Sequence, residues 1–157
     1  MRSTVRGFTL IEMLVVLMIV GILAGAAVPL AELNKRRAQE SELREGLRTL
    51  RSGLDAYKRA WDEGRIEKKM EDSGYPPNLQ VLVRGVVDAK SPTQARLYFL
   101  RRLPRDPFAD PHLPAADTWA LRSYESPPDA PAPGRDVYDV SSLSPGTALD
   151  GSFYRDW

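Results

Sequence analysis

With 157 residues, 43% of them hydrophobic and 27% charged, the chain holds apolar material for one modest domain and an appendage, not for two cores. Its 22 basic and 21 acidic residues nearly cancel to a formal charge of +1, which excludes capture of nucleic acid by bulk field. The lack of cysteine excludes disulfides, thiolate nucleophiles and cysteine-ligated zinc, so an extracytoplasmic fold has to hold without staples.

Apolar residues concentrate in 8–31, charges in 32–72, and every proline except Pro29 lies beyond Tyr75. Residues 1–7 are polar, carry Arg2 and Arg6 but no acid, and read as a leader. In the following segment, 8–31, the only charge is Glu12. A helix of about 20 residues crosses the hydrocarbon, so this segment is long enough to span it. Three readings fit: a cleavable secretory signal with a small-residue site at Ala24-Gly25-Ala26, an uncleaved anchor, or a helix released by a cut after Gly7.

Glu12 discriminates among them. A carboxylate inside an apolar span costs about 2.5 to 3.5 kcal/mol on insertion scales, so it needs a partner, a proton or a function. As part of a signal or a plain anchor, Glu12 can only snorkel from one end of the span or become protonated. A cut between Gly7 and Phe8 instead creates an ammonium one helical turn from Glu12. The carboxylate of one subunit can then pair with the amine of a neighbour, which offsets the burial of both charges and sets an axial register. Gly21 and Gly25 have GxxxG spacing, which permits close helix approach, and Pro29 removes one amide donor from the helix.

The run Arg6-Gly7-Phe8-Thr9-Leu10-Ile11-Glu12-Met13-Leu14-Val15-Val16 resembles the processing and methylation signal of type IV prepilins and type II secretion pseudoprepilins. This resemblance implies that Gly7 precedes a prepilin-peptidase cut, that Phe8 is the new, N-methylated terminus, and that Glu12 is the assembly glutamate. Pro29 lies where such helices often bend or locally melt. The resemblance also implies a cytoplasmic leader, one pass through the inner membrane and a periplasmic carboxyl-terminal domain. Charge counting does not orient the span, because Lys35, Arg36 and Arg37 follow it just as Arg2 and Arg6 precede it.

Beyond Pro29, Leu43, Leu47, Leu50, Leu54, Tyr57 and Trp61 recur in steps of four and three, which predicts one apolar stripe on a helix. Arg44, Glu45, Arg48, Arg51, Asp55, Lys58 and Arg59 form a mixed-sign solvated face, with Glu40 and Arg44 spaced for an ion pair. The pattern lasts about two and a half heptads, short of a coiled-coil seam, so the stripe is expected to pack on the chain's own sheet. Gly64 closes the pattern. One helix from residue 8 to about residue 63 would reach roughly 80 Å if straight.

Tyr75-Pro76-Pro77 predicts a turn, residues 78–83 a short helix closing at Gly85, and residues 92–103 a second short helix carrying Leu97, Phe99 and Leu100. Leu103-Pro104-Arg105-Asp106-Pro107-Phe108 is a rigid loop, since each proline fixes φ and restricts its predecessor. Residues 118–124 and 136–140 alternate and carry aromatic or β-branched side chains, as paired antiparallel strands do. The Pro-rich stretch 126–134 connects them. Phe153, Tyr154 and Trp157 read as a docked tail.

The order of Tyr75-Pro76-Pro77, the 103–108 loop, Trp119-Ala120-Leu121-Arg122-Ser123-Tyr124, Val137-Tyr138-Asp139-Val140-Ser141-Ser142 and a terminal Asp-Trp looks like the head of the major pseudopilin of type II secretion. The implied fold is α+β and type IV pilin-like: a long amino-terminal helix whose amphipathic half packs on a small antiparallel sheet. The implied organisation is a leader, 1–7, a transmembrane and filament-core helix, 8–31, and a periplasmic head, 32–157. Within the head lie the amphipathic helix, 32–64, short helices and loops, 75–117, and a β-rich part, 118–157. The implied function is that of a pseudopilus subunit, processed by prepilin peptidase and polymerised with itself and other pseudopilins on an inner-membrane assembly platform. Its task is secretion of proteins across the outer membrane, and a surface type IV pilus for adhesion, motility or DNA uptake is the alternative.

Two further sites are weighed. Major pseudopilins usually end in a glycine-rich acidic loop that binds calcium, whereas this chain has Ser144-Pro145-Gly146-Thr147-Ala148-Leu149-Asp150-Gly151 before its tail. Calcium takes six to eight oxygens, several from clustered carboxylates, and Asp150 and Asp156 are the acids at hand. A tight turn at Asp150-Gly151 is the competing reading. As for catalysis, no Walker loop, GxGxxG, HExxH or GxSxG occurs. His112 lies between Pro111 and Leu113 in a loop, and Asp106 and Asp110 are expected to serve caps and turns, so no enzyme is expected.

Overall fold

Unbroken apolar sequence followed by a period of 3.6 gives one long helix in the computed structural model, which describes residues 8–70 and 72–157 and, for 26–28, the backbone alone. Helix α1 runs Leu10–Asp62. It ends as the glycine predicts: Gly64 adopts φ +70°, its amide donates to Trp61 O (3.0 Å) and the Arg65 amide donates to Ala60 O (2.9 Å). These are the two bonds of a Schellman cap, and a left-handed residue at that position favours glycine. At Pro29 the helix continues rather than melting. Proline's fixed φ is compatible with a helix, and the lost bond is only the one to the Gly25 carbonyl.

The chain divides into two compact units, Met1–Ala38 and Gln39–Trp157. In the first, the described apolar side chains of α1 are exposed. In the second, the predicted stripe is buried: Leu43, Leu47, Leu50, Leu54 and Tyr57 join Leu79, Leu82, Trp119, Val137, Val140 and Tyr154 in one core. Each such leucine contributes about 2 kcal/mol of transfer free energy. The absence of a side chain at Gly46 lets Trp119 lie against α1, where a Cβ would come within 3.1 Å of its ring. Arg51, on the same helix, ties to Asp139 Oδ1 (2.9 Å) and to the Val140 carbonyl (3.1 Å).

Short elements complete this unit. Helix α2 is Gln80–Arg84, closed at Gly85 as expected, where φ is +72° and a Cβ would stand 2.5 Å from Leu97 O. Strands β1, Val86–Val87, and β2, Arg96–Leu97, pair antiparallel. The helix expected over 92–103 is therefore replaced by a hairpin arm. Ser91 Oγ accepts the Thr93 and Ala95 amides (3.3 and 3.2 Å), Gln94 takes φ +56°, and Phe99 and Leu100 both donate to Leu82 O. A local serine turn has captured the amides that would start a helix.

The expected antiparallel pair is present as β3, Trp119–Arg122, and β4, Asp139–Ser142, with Trp119 opposite Ser142 and Arg122 opposite Asp139. The second strand begins later than the predicted 136–140. Asp136 instead binds the Ser123 hydroxyl (3.0 Å) and Tyr124 amide (2.8 Å), and the Val137 amide donates to Pro76 O (2.8 Å). Short 3₁₀ turns at Ala115–Thr118 and Tyr154–Asp156 complete the unit, giving the α+β class that was expected.

One ion pair braces the turn after α1. Asp88 Oδ2 accepts both Arg65 Nε (3.1 Å) and Nη2 (2.6 Å), and Oδ1 accepts the Lys90 amide (3.0 Å). The Arg65 hydrogen bonds first, and the Lys90 amide next, hold the Asp88 carboxyl below the usual carboxylate range. A depressed folded pKa stabilises the native state fully above the unfolded value, about 4, and that stabilisation is lost as pH falls through the folded value. Asp88→Asn should therefore lower the Tm at pH 7, and the gap from the parent should close as pH drops below about 4. Thermal melts across that range check it, and a gap that stays constant would contradict it.

Candidate functional site

The amino-terminal end of α1 carries the residues that sequence alone singled out. Gly7 lies outside the described residues, so one side of the expected cut is not described. Phe8 precedes the helix and is 76% exposed. Glu12 is exposed in the first helical turn. Its Oε2 accepts the Thr9 amide (3.4 Å) while its own amide donates to Thr9 Oγ1 (3.3 Å). This reciprocal pair is a capping box, with Thr9 as N-cap and Glu12 three residues on. Sequence reasoning missed the role of Thr9, although Thr-x-x-Glu before an apolar run is its signature. Within a single chain, then, Glu12 serves its own helix end.

Downstream, α1 contains an 18-residue window apolar enough to cross a membrane, none of it buried. Leu10, Ile11, Leu14, Leu17 and Ile22 all present most of their surface, far beyond the scattered single exposures normal for a soluble monomer. Hydrocarbon or other helices are the environments that suit such a surface.

At the other end of the chain, Asp150 and Asp156 are both exposed. Asp150 Oδ1 accepts the Ser152 amide (3.0 Å) and hydroxyl (2.6 Å), and Oδ2 lies 3.4 Å from Arg44 Nη2. The Ser152 hydroxyl first, then its amide, with Arg44 adding, hold the Asp150 carboxyl below the usual range. Asp156 pairs with Arg155 at 3.6 Å. Among the described residues no group of three or more His, Cys, Asp or Glu side chains is placed to hold a metal ion. A calcium ion needs several oxygens free to face it, and here the Asp150 carboxylate is already engaged by Ser152 and Arg44.

The loop residues considered for catalysis carry structure instead. Asp106 is 2% exposed, accepts the Phe108 amide (2.8 Å) and bonds the Ser142 hydroxyl, joining the proline loop to β4. The His112 amide donates to Asp110 Oδ1 (2.9 Å) in an exposed turn.

Two comparisons with known proteins bear on the exposed helix and on the head. The family described as "Prokaryotic N-terminal methylation motif" matches residues 2–28. The type II secretion system core protein G of Klebsiella michiganensis is 36% identical over 111 residues, covering 68% of this chain and 70% of that one. The chain belongs to the type II secretion system core protein G family. Its counterparts in Klebsiella pneumoniae and Escherichia coli are 36% identical over 107 residues and 32% identical over 119, covering 66% and 72% of this chain and 69% and 74% of their own lengths. No solved structure matches the chain significantly. A match over 111 residues is far longer than the segment 2–28 that carries the methylation motif, so the relationship does not rest on that motif alone.

Proposed function

We propose that the chain is a structural subunit of a type II secretion pseudopilus. It is cut after Gly7 by prepilin peptidase and N-methylated on Phe8. The apolar part of α1 holds it in the inner membrane with the head in the periplasm. On the inner-membrane assembly platform it polymerises with itself and with other pseudopilins, supporting secretion of proteins across the outer membrane. The observation that carries this reading is an unburied apolar helix whose single acid, Glu12, stands four residues beyond the methylation-type terminus. In the membrane that helix is an anchor; in a filament the same surface packs against its copies. Freed from the leader, the Phe8 amine of one subunit gives the Glu12 carboxylate of another an opposite charge that neither has alone.

The core protein G relatives favour a secretion pseudopilus over a surface pilus. A structural role also fits the loop acids, which are engaged in turns and braces. Deleting the gene should leave exported proteins folded in the periplasm and remove them from the medium. Unchanged secretion with loss of surface fibres would contradict this reading and support a type IV pilus.

A further inference from the structure

The carboxyl-terminal loop is closed by side chains from α1. Glu40 stands one step before Leu43, in phase with the apolar stripe, and is 5% exposed. Its Oε1 accepts the Leu149 amide (2.8 Å) and the Tyr154 hydroxyl (3.0 Å), holding both arms of the loop at one oxygen. One turn further on, Arg44 places Nη2 3.4 Å from Asp150 Oδ2 and its guanidinium 4.1 Å over the Trp157 ring. The loop's backbone also bonds to itself. Ala148 donates to Ser152 O (2.7 Å), Gly151 donates to Ala148 O (3.0 Å), and Thr147 bridges Phe153. The Tyr154 ring is stacked on Phe108 at 4.3 Å and meets Trp157 edge-on at 5.2 Å, which fixes the arm that Glu40 grips.

A bound divalent cation organises a loop by drawing carboxylates and carbonyls of both arms onto one centre. Here the centre is an anion, and the loop presents donors to it rather than acceptors. The acid that a cation would need, Asp150, is matched by Arg44, so a cation beside it would meet a positive charge. We propose that Glu40 and Arg44 take the place of a divalent cation in this head: Glu40 gathers the loop's donors, Arg44 neutralises Asp150, and the loop is calcium-independent. This goes beyond the pseudopilus reading and does not depend on it, because it concerns closure of the head and not assembly.

The test is thermal unfolding of the full mature chain in detergent micelles, with EGTA or with about 1 mM CaCl₂. A ligand that binds only the folded state at many times its Kd raises the Tm by on the order of 10 °C for a domain of this size. The parent chain should show the same Tm under both conditions, within about 1 °C. Glu40→Ala should melt about 5 to 10 °C lower, because two buried donors lose their acceptor, and calcium should not restore it. A calcium-dependent rise in the parent that Asp150→Asn abolishes would overturn the proposal, as would a Glu40→Ala variant that melts like the parent. Should Glu40→Ala fail to fold, the two melts of the parent still decide the calcium arm, and the Tm of Glu40→Gln, which keeps an acceptor without the charge, decides the latch.

Discussion

Glu12→Gln should leave the subunit inserted in the membrane and stop filament growth. Glutamine can still take the third position of a capping box, so the Thr9–Glu12 contact that closes the helix end survives in kind. What the substitution removes is the charge. In an assembled filament the amine of Phe8 would then be buried without a counterion, at a cost of about 3 to 5 kcal/mol for each subunit added. That lowers subunit affinity by roughly two to four orders of magnitude, enough to empty the polymer pool at cellular concentrations. Glu12→Val should behave alike in assembly while inserting as well or better, since the unfavourable intramembrane carboxylate is gone. Sheared-filament yield and membrane fractionation separate the two effects. Parental filament yield from Glu12→Gln would show that charge pairing does not drive assembly and would leave capping as the role of Glu12.

Trp119→Ala should produce the largest loss in head stability. Its indole is 3% exposed, lies against Gly46 of α1 and donates to the Pro104 carbonyl at 3.0 Å. It thus joins the long helix, β3 and the proline loop at one point. Truncating a buried aromatic of this size costs about 3 to 5 kcal/mol, and the orphaned carbonyl adds to it. For a domain of this size the Tm should fall by about 10 to 20 °C, measurable by the near-ultraviolet signal of the remaining tryptophans. A loss under about 1 kcal/mol would mean that the helix is not held to the sheet through this side chain.

Much of this architecture is legible in the sequence because it is local or periodic. The stripe from Leu43 to Tyr57 repeats at the helical period, and Gly64 supplies the left-handed residue that a Schellman cap needs. Alternation around Trp119 and Val140 shows the sheet. What was not legible depends on partners distant in the chain. Asp136 binds Ser123 and Tyr124 and so delays β4. Val86 and Val87 become a strand because Arg96 and Leu97 return beside them, and no two-residue window shows that. Glu40 is the instructive case. At helical spacing it reads as a surface partner for Arg44, yet both side chains turn to the carboxyl-terminal loop, 109 residues away for the Glu40 to Leu149 bond. One local sign of it existed: Glu40 is the only acid in phase with the apolar stripe, and an acid placed there has to find donors in the core.

The same contrast holds at the amino terminus. The cleavage and methylation signal is a short contiguous run, so it can be read residue by residue. The surface that it would prepare in the proposed filament belongs to packing between subunits, which one chain's sequence does not spell out; here the apolar residues from Leu10 to Leu23 stand exposed. Mass spectrometry of the chain purified from membranes tests the central claim most directly. The account predicts a mature terminus at Phe8, one methyl group heavier than the unmodified amine, with residues 1–7 absent. A chain that begins at Met1 or at Ala27 would contradict it.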